Sequence, residues 1–337
     1  MPKESLFDRV KFKSYPSQSF IFLWADYIEF QCLISEDKIY SSGYFTDPTE
    51  EDDILVSESD DSDESFDGSV SFSDDVLKPD EKIERKWGDI KGKFEIRKNN
   101  LGELWPFEFK DDILILKFDE KSVYHHLYIM LLICSLLKHC HKKRYNELTD
   151  AFEYLSYCLF NCLMPNGWVV KMTGAKANKG KIYPKLEEIA KNTRAKMVID
   201  EDDFDDKNTG DGRLDLIAWH PLCDDRGFIP IALAQCGCSP TAWEHKQLEA
   251  SPCSLANVFS FQHPPVNYYF MPHDLWKNSS KWDRRDKLSQ VVMIDRMRIL
   301  KLSKYYASDM FNISGKKGLM KLRVVKEALN YNQDYFD

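Results

Sequence analysis

The sequence lacks any apolar run that is long enough to cross a membrane as a helix. The longest candidate, residues 127–137, has about half of the ~20 residues that a spanning helix needs, so we expect a core helix there. The first residues, "MPKESLFDRVKFKSYPS", also lack the apolar centre of a secretory signal peptide. These absences predict a cytoplasmic protein without membrane association.

Cysteine and histidine spacings typical of metal sites are also missing. The nine cysteines are odd in number, and Cys134, Cys158 and Cys162 lie within apolar runs, which is typical of reduced thiols in a cytoplasm. Cys236 and Cys238 form a C-x-C pair rather than the C-x-x-C pair of a zinc ribbon. We therefore expect no structural zinc site.

Lysine and arginine are absent between Asp47 and Asp75, where 13 acidic residues lie. This segment causes the net charge of −9, because the rest of the chain has 42 acidic against 46 basic residues, a net charge of +4. A tract rich in Ser, Asp and Glu buries too little apolar surface to offset its ordering entropy, so we predict a flexible acidic insertion over 46–80. The insertion is either a solvated linker or a polyanion that competes with nucleic acid for a basic groove.

The remaining segments carry helix and strand patterns that fit an α/β protein. We predict an amphipathic helix over 20–34, loops with one strand (113–118) over 81–120, helices over 122–140, 146–163 and 182–195, strands over 214–221 and 228–237, and a basic helix or strand–helix joint over 287–307. The predicted regions are an N-terminal, mainly helical region (1–45), the acidic insertion (46–80), a connecting region (81–120), a core (121–305) and a C-terminal tail (306–337).

Two polar residues interrupt the apolar strands of the predicted hairpin. Asp215 lies where the first strand begins, and Gln235 lies where the next strand ends. The hairpin would bring both to one edge of a sheet, with Asp215 as an exposed strand-end carboxylate. Mg²⁺ binds few protein oxygens and keeps waters, so these two side chains and the backbone carbonyl of Cys236 could form a site. Such a metal can generate the hydroxide for phosphodiester hydrolysis.

The stretch "GDGRLDLIAW…IALAQCG" resembles the metal-binding hairpin of PD-(D/E)XK nucleases, the restriction-endonuclease-like superfamily. It is most similar to the Mrr-like branch, in which Gln replaces the acidic residue of the third motif. The segments "ADYIEFQCLI", "LWPFEF", "DAFEYLSYCL", "AWEHK" and "MIDRMRIL" look like those of a phage-defence group of these nucleases. The resemblance implies a mixed central sheet flanked by helices, and a Mg²⁺ or Mn²⁺ cofactor.

The resemblance also implies roles for individual residues. Asp215 would be the central metal ligand and Gln235 the ligand of the third motif. The helix-borne acid of the family best matches Glu153 in "AFEYL", with Glu187 and Glu188 as rivals. Which of the three glutamates completes the site stays open at this point.

The sequence departs from the family pattern at one position. A lysine is expected two residues after Gln235, but Gly237 stands there. Lys246 in "TAWEHKQ" is the nearest replacement, and His245 is an alternative general base. Trp243 shares a helical face with Lys246 and would pack on the sheet, so we expect the Lys246 ammonium to point at the strand end.

Basic segments elsewhere are candidates for contacts with DNA. Phosphate contacts are predicted for Lys176, Lys179, Lys181, Arg284 and Arg285. Solubilising loops are the commoner role of such lysine-rich runs.

Three functions remain open from the sequence. The first is a DNA endonuclease that serves as the effector of an anti-phage defence system, with an ATPase or helicase as its protein partner. The second is a catalytically inactive scaffold of the same fold. The third is an interaction protein whose acidic insertion contacts a partner, for example as a nucleic-acid mimic. An oligomeric assembly is compatible with each of them.

Overall fold

The structure is a computed structural model of the 337-residue chain. It describes residues 5–7, 16, 20–45, 79–173, 182–203, 214–277, 281–314 and 322–331. The acidic insertion predicted over 46–80 lies outside the described residues, apart from positions 79 and 80 at the start of a helix.

Helices and strands are mixed along the chain. In chain order they are α1 (Ile21–Ile34), β1 (Ile39–Ser41), α2 (Pro79–Leu101), β2 (Phe107–Lys110), β3 (Ile113–Leu116), α3 (Val123–Ser135), α4 (Tyr145–Leu163), β4 (Val169–Met172), α5 (Ile182–Thr193), β5 (Lys196–Met197), β6 (Leu216–Trp219), β7 (Ile231–Cys236), α6 (Trp243–Lys246), β8 (Phe259–Ser260), β9 (Val266–Phe270), β10 (Val292–Ile294), α7 (Arg296–Tyr305), α8 (Ala307–Ser314) and α9 (Leu322–Leu329). Of the helices in these described ranges, none combines the length and the apolar character needed to cross a membrane.

A five-stranded mixed sheet lies at the centre, with the strand order β10-β9-β7-β6-β4. Strands β4, β6 and β7 are antiparallel neighbours, whereas β7, β9 and β10 run parallel. The predicted hairpin is present, with Leu216 of β6 opposite Ala234 of β7. Antiparallel pairing brings the start of β6 and the end of β7 to one edge of the sheet. The mixed α/β class is confirmed.

Buried clusters cover both faces of this sheet. Leu216 and Ala234 belong to the same cluster as Phe152 of α4, so we name this side the α4 face. Ile217 belongs to a second cluster with Leu186 of α5, on the side that we name the α5 face. Burying one such leucine contributes about 1.5–3 kcal/mol, so the two clusters hold the helices against the sheet.

The helix predicted over 20–34 is present as α1, but it is not amphipathic. All of its residues except Ile21 are buried, including Asp26 and Glu29. Asp26 and Glu29 therefore face partners inside the protein rather than water, and periodicity alone does not reveal such partners.

Buried ion pairs join α1 to α2 and α7. Asp26 pairs with Arg97 at 2.6 Å and with Arg296 at 2.7 Å. Arg97 also pairs with Glu29 at 2.8 Å and with Asp274 at 3.1 Å. Burial opposes ionisation of Asp26, but Arg296 and Arg97 outweigh it and hold the pKa of that carboxyl at about 2. Each charge of this cluster thus has an opposite charge beside it.

The segment predicted as loops and one strand over 81–120 begins with the long helix α2. Ile83, Trp87, Ile90 and Phe94 recur at spacings of three and four residues and pack into the largest buried cluster. Two glycines and many charged residues between them disguise this pattern. The predicted strand over 113–118 is β3, which pairs with the unpredicted strand β2.

The helices predicted over 122–140, 146–163 and 182–195 correspond to α3, α4 and α5. The segment 287–307 forms a strand–helix joint, β10 followed by α7. Asp295 caps α7, because its side chain accepts a hydrogen bond from the Arg298 N–H at 3.0 Å. The largest buried cluster contains residues from Leu6 to Ala328 and includes side chains from α1, α2, α3, α4 and α9.

Candidate active site

Asp215 lies at a β-bulge at the start of β6. Leu214 packs on the α5 face and Leu216 on the α4 face, although residues two apart share a face in a regular strand. The Asp215 N–H donates to the carbonyl oxygen of Ala234 at 3.2 Å, and Ala234 is the register partner of Leu216. Asp215 and Leu216 thus stand opposite one residue, which defines a bulge. Bulges re-aim side chains, so an apolar strand can begin on a carboxylate here.

The Asp215 residue is only 7% exposed, so the expectation of an exposed strand-end carboxylate is wrong. Its Oδ2 accepts a hydrogen bond from the Cys236 N–H at 2.7 Å. Its backbone carbonyl oxygen accepts another from the Thr173 N–H, also at 2.7 Å. The carboxylate is therefore fixed against the end of β7, beside the peptide that links Gln235 to Cys236.

Gln235 is buried as well, with an exposed fraction of 6%. Its Nε2 donates a hydrogen bond to Glu249 Oε2 at 3.3 Å. Its Oε1 is buried and accepts no hydrogen bond from the part of the chain that the structure describes. A buried acceptor without a donor needs a physical explanation, and a bound water or cation provides one.

Glu249 also contacts the strand end, although the sequence did not predict it as a site residue. It lies shortly after α6 and contacts the Gln235 amide. Glu249 follows Lys246 by three residues, a spacing that places side chains on one side of a helical turn. Inspecting the acids within one turn of the predicted lysine would have identified it.

Glu153 approaches the same strand end from α4, where it is half-buried. The pKa of the Cys236 thiol is raised well above its usual value by burial and then by the Asp215 and Glu153 carboxylates. Both carboxylates therefore lie close enough to Cys236 to disfavour ionisation of its thiol.

The rival residues have other surroundings. Glu188 pairs with Lys171 at 2.6 Å, and Glu187 is exposed on the same helix. His245, the alternative base, is exposed too. Of the three candidate glutamates, Glu153 is the one whose charge contributes to the raised pKa of Cys236.

Tyr269 occupies the space that a side chain at position 237 would need. A Cβ built on Gly237 overlaps the Tyr269 hydroxyl and lies 3.0 Å from its ring carbon Cζ. Tyr269 is fully buried and is the register partner of Gln235 in the β7–β9 pair. Its hydroxyl has no hydrogen-bond partner within the described ranges. The missing lysine at Gly237 thus has a steric cause.

Helix α6 is held against the sheet by Trp243, which is fully buried in one cluster with Tyr269. Lys246, three residues later, is half-buried. A hydrogen bond with Cys134 and burial raise the pKa of the Cys238 thiol well above its usual value, and the Lys246 ammonium opposes this rise. Lys246 therefore lies near Cys238, just beyond β7, whereas no described hydrogen bond or ion pair joins it to Asp215 or Gln235.

A metal site here would use few protein ligands. Among the described residues, no three His, Cys, Asp or Glu side chains are grouped so that they could hold a metal ion. The predicted set differs from such a group, because it has only two carboxylates, Asp215 and Glu153. An amide oxygen and the Cys236 carbonyl complete it. Mg²⁺ accepts such sets and keeps several waters. The buried Oε1 of Gln235, which lacks a donor, fits this set.

No protein-family model matches this chain, and neither does any curated protein or solved structure. Its function is therefore inferred from the geometry of the strand end.

The predicted phosphate contacts are divided between described and undescribed segments. Lys176, Lys179 and Lys181 lie outside the described residues. Arg285 is exposed, whereas Arg284 pairs with Glu244 at 2.7 Å. An open surface depression is lined by Lys277, Lys281, Trp282, Arg284, Arg285 and Asp286. Its excess of basic residues suits phosphate groups, and Lys277 and Lys281 are additions to the five predicted contacts.

Proposed function

We propose that this protein is a divalent-metal-dependent nuclease that hydrolyses phosphodiester bonds in DNA. The proposal includes a restriction-endonuclease-like core, Mg²⁺ or Mn²⁺ as cofactor, and a role as the effector of an anti-phage defence system with an ATPase or helicase as partner. The proposed ligands are Asp215, Gln235, the Cys236 carbonyl and Glu153, the last of which α4 contributes.

The observation that carries the proposal is the buried Oε1 of Gln235, which has no hydrogen-bond donor among the described residues. It lies at the end of β7, next to the residue whose N–H binds the Asp215 carboxylate. A buried acceptor costs free energy unless a donor or a cation satisfies it. An oxygen atom of this kind beside a fixed carboxylate suits a hard divalent cation.

Each residue of the proposed site would have its own role in the hydrolysis. Mg²⁺ held by these ligands would supply a Lewis acid that activates water and offsets negative charge at phosphorus. The Cys236 N–H holds the Asp215 carboxylate in place, so little reorganisation is needed at the moment of reaction. Glu153 would orient or deprotonate a water on the α4 side. Lys246 would place its ammonium near the negative charge that develops on the phosphate oxygens. It is the cation that the sequence predicts for this role.

Cleavage of supercoiled plasmid DNA tests this proposal. Wild type should nick the plasmid with Mg²⁺ or Mn²⁺ and not with EDTA, and Asp215→Asn should lower the rate by about 100-fold or more. Asp225→Asn is the matched control, because Asp225 is an exposed carboxylate in the turn at the other end of the same hairpin. Equal rates in wild type and Asp215→Asn would refute the site.

The inactive scaffold is the second candidate, and the tight contact between Gly237 and Tyr269 favours it. That contact excludes a lysine from the position that the resembling nucleases use. A wild-type protein that folds but cuts neither plasmid nor single-stranded DNA with either metal would support this alternative. If wild type does cut, Lys246→Ala tests the proposed role of Lys246, since the nuclease proposal expects loss of cleavage with unchanged DNA affinity.

A further inference from the structure

Lys185 on α5 is a buried cation that has no partner in the described part of the chain. The residue is 8% exposed, and its Nζ makes no hydrogen bond with any residue in the described ranges. Isolated buried charges are costly, so proteins rarely keep a lysine in this state unless it binds something. Its position between α5 and the edge of the sheet suggests what that is.

Lys185 lines a small pocket between α5 and strands β4 and β6. The pocket is lined by Lys171, Met172, Thr173, Lys185, Glu188, Ile189, Asn192, Ile217 and Trp219. Its free volume is about 20 Å³, which is enough for one oxygen-sized group. Because it also opens to the surface, a larger molecule can insert one atom and leave the rest outside.

The other polar groups of the pocket already have partners. Lys171 pairs with Glu188 at 2.6 Å, and hydrogen bonds from Lys171 and Asn192 lower the pKa of Glu188. The Thr173 hydroxyl donates to the Leu214 carbonyl oxygen at 2.6 Å. Of the polar side chains that line the pocket, Lys185 is the one whose polar atom is buried without any hydrogen bond in the described ranges.

We infer that this pocket receives an oxygen of a phosphate group, with Lys185 as its main donor. The two lysines and Glu188 give a net charge of +1, which complements the single negative charge of a phosphodiester. A charge-assisted hydrogen bond to a phosphate oxygen satisfies the buried ammonium. Resting on the proposed nuclease function, the inference assigns the pocket to a DNA phosphate next to the one that is cut.

The location of the pocket supports this assignment. Thr173, which lines the pocket, donates its N–H to the Asp215 carbonyl oxygen at 2.7 Å. Ile217, another lining residue, lies two positions after Asp215. The pocket and the candidate metal site are therefore neighbours along β6. One DNA strand could place one phosphate at the metal site and the next phosphate at the pocket.

Binding of inorganic phosphate, measured by isothermal titration calorimetry, tests the pocket without any nuclease activity. Wild type should bind phosphate, and Lys185→Met should weaken binding by about tenfold or more, because it removes the charged donor but keeps the side-chain length. Lys191→Met is the matched control, since it removes an exposed charge from the same helix. Equal binding by wild type and Lys185→Met, or no binding by wild type at millimolar phosphate, would overturn the inference.

DNA measurements separate this inference from the nuclease proposal. For a duplex that is bound but not cut in EDTA, Lys185→Met should reduce the slope of log affinity against log salt concentration by about one phosphate contact. If wild type cuts no DNA but phosphate binding still depends on Lys185, the pocket stands and the nuclease proposal fails. If wild type cuts DNA while Lys185→Met keeps normal phosphate binding and an unchanged salt slope, the pocket is wrong and the nuclease proposal stands.

Discussion

Gly237 and Tyr269 determine which side chains fit at the end of β7. A Cβ on residue 237 would overlap the Tyr269 hydroxyl, and Tyr269 is fully buried. A buried aromatic ring cannot move aside without disturbing its close-packed neighbours. The strand end therefore accepts glycine, and any lysine that serves the site has to come from another element.

We expect Gly237→Ala to lower the free energy of unfolding by about 1–3 kcal/mol, because the added methyl group overpacks a buried site. Urea denaturation measures the change. Gly88→Ala is the control, since a Cβ there meets nothing within 4 Å and the residue lies inside α2. That control should gain about 0.5–1 kcal/mol.

The Tyr269→Phe background identifies the cause. Removing the hydroxyl relieves the closest contact, so Gly237→Ala should cost less in this background than in wild type. An equal cost in both backgrounds would show that the hydroxyl is not responsible.

Single residues of the site were predictable to different extents. Asp215 and Gln235 could be identified because a carboxylate and an amide interrupt apolar strands. The burial of Asp215 could not, since it depends on a bulge and on the Cys236 N–H that binds its carboxylate. Glu249 was missed because its contact with Gln235 depends on how the chain turns after α6.

Helices α3, α4 and α5 and the β6–β7 hairpin were predictable because apolar periodicity, breakers and turn residues agree within each segment. Helices α1 and α2 were harder, since their polar residues pair across long sequence distances. The Asp26 carboxylate accepts hydrogen bonds from Arg97 and Arg296, which lie 71 and 270 positions away. No window of neighbouring residues contains that information.

The pairing of α1 with α2 and α7 predicts a large effect of Asp26→Ala. The change leaves Arg97 and Arg296 buried with less opposite charge, so we expect a loss of about 3–5 kcal/mol in the free energy of unfolding. Lys91→Ala is the control, because it breaks a half-exposed pair with Asp112 and should change stability little. Similar losses in both variants would contradict the role of the buried pairs.

The pH dependence of stability gives a second readout for Asp26. Its pKa in the folded protein is about 2, below the usual value of 3.8 for an aspartate, so its contribution is present above about pH 4 and is lost as the pH falls towards 2. Asp26→Ala lacks this contribution at every pH. Its stability should therefore decline less steeply than that of wild type over this range.

At the scale of the whole molecule, the candidate site combines elements that are far apart in the chain. Glu153 comes from α4, Asp215 from the start of β6, Gln235 from the end of β7 and Glu249 from the segment after α6. The order of helices and strands predicts that such residues can meet at a sheet edge. Only the packed structure shows which of these residues have buried polar atoms without partners among the described residues.

Binding of Mn²⁺ tests most directly whether the strand end at Asp215 and Gln235 holds a divalent cation. Titration followed by electron paramagnetic resonance counts bound Mn²⁺ through the loss of the signal of the free ion. We expect one bound ion per chain in wild type and in Asp225→Asn, and binding weaker by about tenfold or more in Asp215→Asn and Gln235→Leu. Equal Mn²⁺ binding in all four proteins would contradict this account.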